Sequence, residues 1–392
     1  MKKLFTLIFV LSSLLTIAQE ESIQEAQKLI ENKKYELALK VLNDADPNNE
    51  NPDIVIEKVD LFLNYFVSSI MHQLFAVTDL EAEQNIYEVR GSEGGFSMFK
   101  FPPDTILNNL IDKHPNDFRL YKELGFYYHE VHLKYGGNWL KPDSTLINLF
   151  VENYKLAYEN GVYDDWSLYG IGYGLLYTQK YQESLKYFKE AINLKPEYPT
   201  SHYNLAYAYL SLNDHENAIE SAKKALELYE NPAEKADAAR IVAVCYSELE
   251  QYEKSLEYYR ISNEIDPNNY YTLKPLLSIE IYLNDEVYKK RTKDFFLLAP
   301  GNPIIYQNLM EDYWKNEKQN ELIEFFESLK TEFENDNKVY ANLHFYIAVI
   351  QYDSEDFENS KVNFEKSKEI FRNVFEPNHD VFKAIDSYLK EI

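Results

Sequence analysis

The chain has 392 residues, 45% of them hydrophobic, a single cysteine and a formal charge of −25 at pH 7. A surface this acidic repels phosphate backbones, which argues against nucleic acid as a partner, and one cysteine cannot form an internal disulfide. The length exceeds one ordinary core, so two domains or an elongated repeat array are expected.

At the N-terminus, Lys2 and Lys3 precede an apolar run, Leu4 to Leu15, and the small-residue end Thr16-Ile17-Ala18. This pattern predicts a signal peptide over 1–18, cleaved after Ala18, and hence export, to the periplasm or alternatively to the extracellular medium. Loss of the two lysines takes the charge to −27. The sole cysteine, Cys245, lies far from the junction, so no lipid anchor is expected there; it falls mid-helix, where a buried thiol is inert.

Residues 20–50 hold Tyr35, Ala38 and Leu42 at helix-pair spacing. "DADPNNENPD" (44–53) mimics a calcium loop, but Val55 stands where a bidentate Glu is needed and no Gly marks the turn, so an ordinary turn is predicted. A long buried helix is expected over about 53–79. Its uncharged run "LFLNYFVSSIMHQLFAVT" is interrupted by Asn64, Ser68, Ser69, His72 and Gln73 and bounded by Asp60 and Asp79, against a membrane span. No integral span is expected in the mature chain.

"IYEV" (86–89) and "FSMFKF" (96–101) flank "RGSEGG", which predicts a short β-hairpin or flap near 86–101. Phosphate binding is excluded there, because Phe96 follows the last Gly and Glu93 would repel the ligand. Insertions are expected at about 80–103 and 132–142. In "HEVH", His129 and His132 are three apart and lack a further ligand, so no metal, cofactor or catalytic residue is assigned.

Periodicity is the main signal. "YQESLKYFKEAINLKP" (181–196), "HENAIESAKKALELYE" (215–230), "YEKSLEYYRISNEIDP" (252–267) and "FENSKVNFEKSKEIFR" (357–372) share one frame, each after a second helix such as "LYGIGYGLLY" or "HYNLAYAYLS". In "YGIGYG" (169–174), Gly172 fills a small packing position, so the run is not read as a dinucleotide fingerprint. Three near-regular units follow one another, 165–198, 199–232 and 236–269, and the frame resembles the tetratricopeptide repeat (TPR) family. Divergent copies are read at 19–164, where 118–164 keeps Tyr121, Leu124, Gly125, Tyr128, Tyr154 and Ala157, and at 270–372. A capping helix is expected at 377–392.

The resemblance implies an all-α, right-handed superhelical solenoid. It also implies ligand-binding positions on the first helix of each unit: Arg119, Lys122 and Phe126; Trp166, Tyr169 and Tyr173; Thr200, Tyr203 and Tyr207. His129 lies one turn beyond Phe126. Such aromatics could stack on a peptide or sugar, or could simply be packing in a chain with 34 tyrosines. The family's carboxylate clamp is not expected: Asn204 matches one position, but Asp237 and Ile241 replace the next unit's cations. The expected role is a non-catalytic scaffold or adaptor for a neutral or basic protein segment. The alternatives are small-ligand capture (oligosaccharide or peptide), for instance between 90–101 and 134–142, and a metal-dependent hydrolase using His129 and His132.

Overall fold

The computed structural model describes residues 18–91 and 95–392; apart from Ala18, the expected signal peptide lies outside the described residues. The chain forms two compact units that divide after Leu212.

The N-terminal unit begins with α1 (residues 18–31), α2 (Tyr35–Ala45) and α3 (Pro52–Tyr65). Asn51 starts α3 by accepting from the backbone of Asp53 and Ile54, with Pro52 at the first helical position, where a missing N–H is harmless. After an insertion come α5 (Pro103–Lys113), α6 (Phe118–Tyr135), α7 (Asp143–Glu159), α8 (Asp165–Tyr177), α9 (Tyr181–Leu194) and α10 (Pro199–Ser211). The C-terminal unit runs α11 (His215–Leu228), α12 (Pro232–Glu248), α13 (Tyr252–Ile265), α14 (Tyr270–Tyr282), α15 (Tyr288–Leu297), α16 (Pro303–Lys315), α17 (Gln319–Leu329), α18 (Asn337–Asp353), α19 (Phe357–Phe371) and α20 (Asp380–Glu391). The all-α repeat architecture is as expected.

One closure recurs between paired helices. Lys33, Gln179, Glu250, Asn284, Glu317 and Glu355 each take a left-handed φ of 52–60°. The next residue's N–H then reaches back five positions, as in Lys34 to Leu29 O, Lys180 to Leu175 O and Gln251 to Tyr246 O, each 2.8 Å. This Schellman-type stop satisfies carbonyls that the helix end would leave orphaned. It does so here without glycine.

The first insertion departs from expectation. The helix predicted over 53–79 ends at Tyr65, where Phe66 turns extended. Beyond it, β1 (Ser68–Ile70) and β2 (Leu74–Ala76) form an antiparallel hairpin pairing Ser68 with Ala76. Met71 and His72 both have positive φ, 52° and 49°, the signature of a type I′ turn, and Gln73 N closes it on Ile70 O at 3.0 Å. The stretch 86–101 is therefore not itself a hairpin: Ile86–Val89 is one helical turn, α4, and Phe99–Lys100, β3, pairs with Leu74 and Phe75. The insertion spans 66–102, and a shorter one, including a 3-10 turn at Gly136–Asn138, joins α6 to α7.

The two insertions meet through the 68–76 hairpin. Trp139 Nε1 donates to Met71 O at 2.8 Å, and Tyr127 OH donates to His72 O at 3.2 Å. His72 packs on Phe66, Phe75 and Tyr135, and Phe62 stacks on Phe75 and Phe101. Burial pushes the His72 imidazole down to about 4.

The loop at 44–53 is a turn, as predicted. Lys58, fully buried on α3, donates its ammonium to Asp46 O at 2.7 Å and Asn49 Oδ1 at 2.8 Å, while the Asp46 carboxylate accepts from Glu50 N and Asn51 N. Burial lowers the Lys58 ammonium to about 8.

Candidate functional site

The site of the N-terminal unit is built on α3, α6 and the start of α8. Two adjoining recesses of about 530 and 430 Å³ share Lys122, Glu123 and Asp164. The first is lined by Gln19, Glu20, Asp53, Glu57 and Arg119; the second by Asp60, Tyr87, Arg90, Phe126, Glu130, Tyr154 and Trp166. Helical spacing explains the shared wall: Arg119, Lys122, Glu123, Phe126 and Glu130 form one stripe on α6, and Asp53, Glu57 and Asp60 another on α3.

Seven carboxylates (Glu20, Asp53, Glu57, Asp60, Glu123, Glu130 and Asp164) face three cations (Arg90, Arg119 and Lys122), a formal charge of −4. The cations are already engaged. Arg119 pairs with Asp53 and Asp117, both at 2.6 Å. Lys122 reaches Asp164 at 2.8 Å and Glu123 at 3.3 Å. Arg90 donates to two backbone carbonyls, Asn64 O at 2.7 Å and Phe66 O at 3.0 Å, and lies over the Phe66 ring. Burial raises the carboxyls of Asp60 and Glu123 against the pull of Lys122, with Asp60 and Asp164 raising Glu123 further and Glu57 and Asp164 raising Asp60; burial brings Glu130 to about 7 against the pull of Arg90.

Tyr154 reaches this wall from the paired helix α7. A Cβ on Gly125 would stand 2.6 Å from its Cδ1, and one on Gly170 would stand 2.7 Å from its Cε2. Only glycine on both α6 and α8 leaves room for the ring to pass between them. The three glycines of "YGIGYG" divide the work: Gly170 and Gly174 face α7, through Tyr154 and through Phe150 and Val151, while Gly172 faces Phe188 of α9.

Of the residues proposed from sequence, Arg119, Lys122, Phe126 and Trp166 come together on the recesses. His129 does not: it is fully buried in an aromatic column, stacked on Phe150 at 4.7 Å and Trp166 at 5.1 Å, and burial pushes its imidazole down to about 3. Tyr169 and Tyr173 extend that column. Tyr169 is 6% exposed, and Asn204 donates to its hydroxyl at 3.2 Å. Tyr203 is half-buried on α10, and Tyr207 is exposed there. Of the tyrosine strip, Tyr169 is thus a packed residue, whereas Tyr173, Tyr203 and Tyr207 keep exposed surface.

His132 and His129 are not offered to a common ligand. His132 Nδ1 meets Asp143 at 2.5 Å and its Nε2 meets the Tyr173 hydroxyl at 3.1 Å. Among the described residues no group of three or more His, Cys, Asp or Glu is disposed to hold a metal ion, and no helix is long and apolar enough to cross a membrane. Cys245 is fully buried, its thiol pushed up to about 12 mainly by that burial.

Sequence reading missed Asp60, Glu123, Glu130, Asp164 and Tyr154. Glu123 and Glu130 were within reach, lying four and eleven positions beyond Arg119 on the same face; Tyr154 was recognised only as a packing residue.

Residues 169–233 and 241–269 match family models of the tetratricopeptide repeat. An Hsp70-Hsp90 organising protein from Plasmodium falciparum (isolate 3D7) is 28% identical over 142 residues, 35% of this chain and 24% of that protein. Hsp70-Hsp90 organizing protein 1 from Glycine max is 35% identical over 98 residues, 25% of this chain and 17% of that protein. The match thus spans less than a quarter of either relative's length. Among solved structures, a tetratricopeptide repeat protein from Parabacteroides merdae ATCC 43184 is 19% identical at a TM-score of 0.41, covering 69% of this chain and 97% of that one. MamA from Desulfovibrio magneticus RS-1 is 18% identical at a TM-score of 0.38, covering 47% and 93%. The chain carries tetratricopeptide repeats, matched over 169–233 and 241–269.

Proposed function

We propose that the protein is an exported, non-catalytic repeat adaptor, periplasmic in location, that holds a neutral or basic protein segment in the groove of its N-terminal unit. The supporting observation is the excess of carboxyls over cations lining that groove, seven to three, with the cations already engaged. An acidic segment would meet repulsion there, and a basic one would gain complementary contacts. The organising role in the names of the matched relatives supports an adaptor. Rigid helices that hold these side chains in place reduce the ordering cost of capture.

Crosslinking in the native envelope, followed by pull-down, tests the reading. Replacing Asp53 and Glu57 with Asn and Gln is expected to lower capture about tenfold with helicity intact, as removal of charged partners across an interface does. Unchanged capture would move the site off this groove. N-terminal sequencing of the periplasmic fraction should find Gln19 first; a cytoplasmic chain beginning at Met1 would overturn export.

A further inference from the structure

The second recess holds polar atoms that the fold itself leaves incomplete. Glu123 is 2% exposed, and its Oε2 has no hydrogen-bond partner. Tyr154 is 1% exposed, and its hydroxyl also has none, although Asp164, Glu130 and Glu123 are the acids that act on it. The indole Nε1 of Trp166 is a third such atom. Buried polar groups are almost always paired, because an unmade hydrogen bond costs roughly 1–3 kcal/mol. Three of them, on residues that line one cavity of about 430 Å³, mark a place that a ligand completes.

The chemistry of that ligand follows from the atoms. Glu123 and Tyr154 can each accept a hydrogen bond, Asp60 and Glu130 add negative charge, and the neighbouring cations Lys122 and Arg90 already have partners. Phe126, Trp166 and the exposed ring of Tyr87 can cover an alkyl stem. The Trp166 N–H can donate to a carbonyl beside that stem. No group of three or more His, Cys, Asp or Glu among the described residues fits a metal, which leaves an organic cation. We propose that this recess receives the alkyl-ammonium or alkyl-guanidinium head of a ligand, with Glu123 Oε2 and the Tyr154 hydroxyl as its acceptors. The proposal rests on the adaptor reading for its preferred source, a lysine or arginine side chain of the captured segment. A free amine carries the same chemistry. Independently, burial raises the carboxyls of Glu123, Asp60 and Glu130, the response of anions that lack a sufficient counter-charge.

Calorimetry on the full mature chain at pH 8 tests the assignment with four probes. These are the acetylated, amidated pentapeptide Ala-Ala-Lys-Ala-Ala, its arginine and norleucine counterparts, and butylammonium. The lysine or arginine peptide should bind about tenfold or more tightly than the norleucine peptide, the scale of a charge-assisted hydrogen bond. Glu123→Gln with Glu130→Gln should abolish that preference, and Tyr154→Phe should reduce it. Binding should change Trp166 fluorescence in a Trp139→Phe, Trp314→Phe background and leave none in Trp166→Phe. Butylammonium binding as tightly as the peptide would support the recess and identify a free amine as the source; tighter peptide binding would identify a side chain. Equal affinity for the lysine, arginine and norleucine peptides would overturn the proposal, as would a preference that survives the double variant. Melting curves should show both glutamine variants folded, since Glu123→Gln removes a buried charge and Glu130→Gln a half-buried one. Envelope capture that depends on Asp53 and Glu57 while the probes show no cation preference would leave the adaptor standing and remove this recess.

Discussion

Two buried glutamates of this chain have opposite surroundings. Glu280 of α14 is fully buried, yet Arg260 approaches its Oε1 at 3.1 Å and Arg291 its Oε2 at 3.3 Å, so both oxygens are taken. Asp312 nearby is likewise held by Lys274 at 2.6 Å and Ser278 at 2.9 Å. Glu123 of α6 is almost as buried but has one oxygen served by Lys122 and one without a partner. Burial of charge is common to both units; the incomplete shell belongs to the N-terminal one. It is the missing partner, more than the buried charge, that separates a site from a structural ion pair.

The comparison can be broken most forcefully at Glu280. Glu280→Ala removes the acceptor shared by Arg260 and Arg291, which keep only Asp285 and Asp294, and is expected to cost about 2–3 kcal/mol in urea unfolding, whereas Glu123→Gln should be neutral or stabilising. Similar losses at both would erase the distinction. Next in size is Gly170→Ala. The new methyl would meet the Tyr154 ring at 2.7 Å and His129 Nδ1 at 3.0 Å, neither free to retreat, so overpacking should outweigh improved helix propensity by about 1–3 kcal/mol. Gly137→Ala, with nothing within 4 Å, is the control and should leave the melting temperature unchanged. Trp139→Phe removes the hydrogen bond to Met71 O, with an expected loss of about 1 kcal/mol and faster amide exchange confined to the hairpin. Uniformly faster exchange would mean that the tip is not held there.

The smallest effect is the pH dependence. Glu130 is raised from 4.5 to about 7 by burial, so the folded chain binds more protons than the unfolded one between those values. Stability contributed by this group is therefore present below pH 4.5 and is lost as pH rises through 7. Glu130→Gln should flatten that slope and stabilise the chain at pH 8 by less than about 1 kcal/mol, because the residue is partly exposed and screened. A steeper fall in the variant than in the parent would reverse the assignment.

The paired helices were legible because packing repeats. Units 165–198 and 236–269 correspond to α8 with α9 and to α12 with α13, as large aromatics and small residues return at fixed offsets. The 66–102 insertion was not legible, for a physical reason. A type I′ hairpin normally announces itself with Asn-Gly, but this one turns on Met71 and His72, residues held at positive φ by contacts from Trp139, Tyr127 and Tyr135 far along the chain. Local pattern carried only an uncharged run, and a long helix was the natural reading. The groove was half legible. Repeat register found Arg119, Lys122, Phe126 and Trp166, but Asp60 was read only as the charged end of an uncharged run, and the route of Tyr154 between Gly125 and Gly170 exists only once three helices are assembled.

Lys58 has a consequence for the turn between α2 and α3. Its ammonium sits where the acidic, asparagine-rich loop at 44–53 might otherwise recruit a divalent ion from solution. Because that charge is tethered to the next helix, its effective concentration is fixed by the chain rather than by the medium. Dilution cannot wash it out and chelators cannot extract it. The order of this turn is thus insulated from the ionic composition of whatever compartment surrounds it.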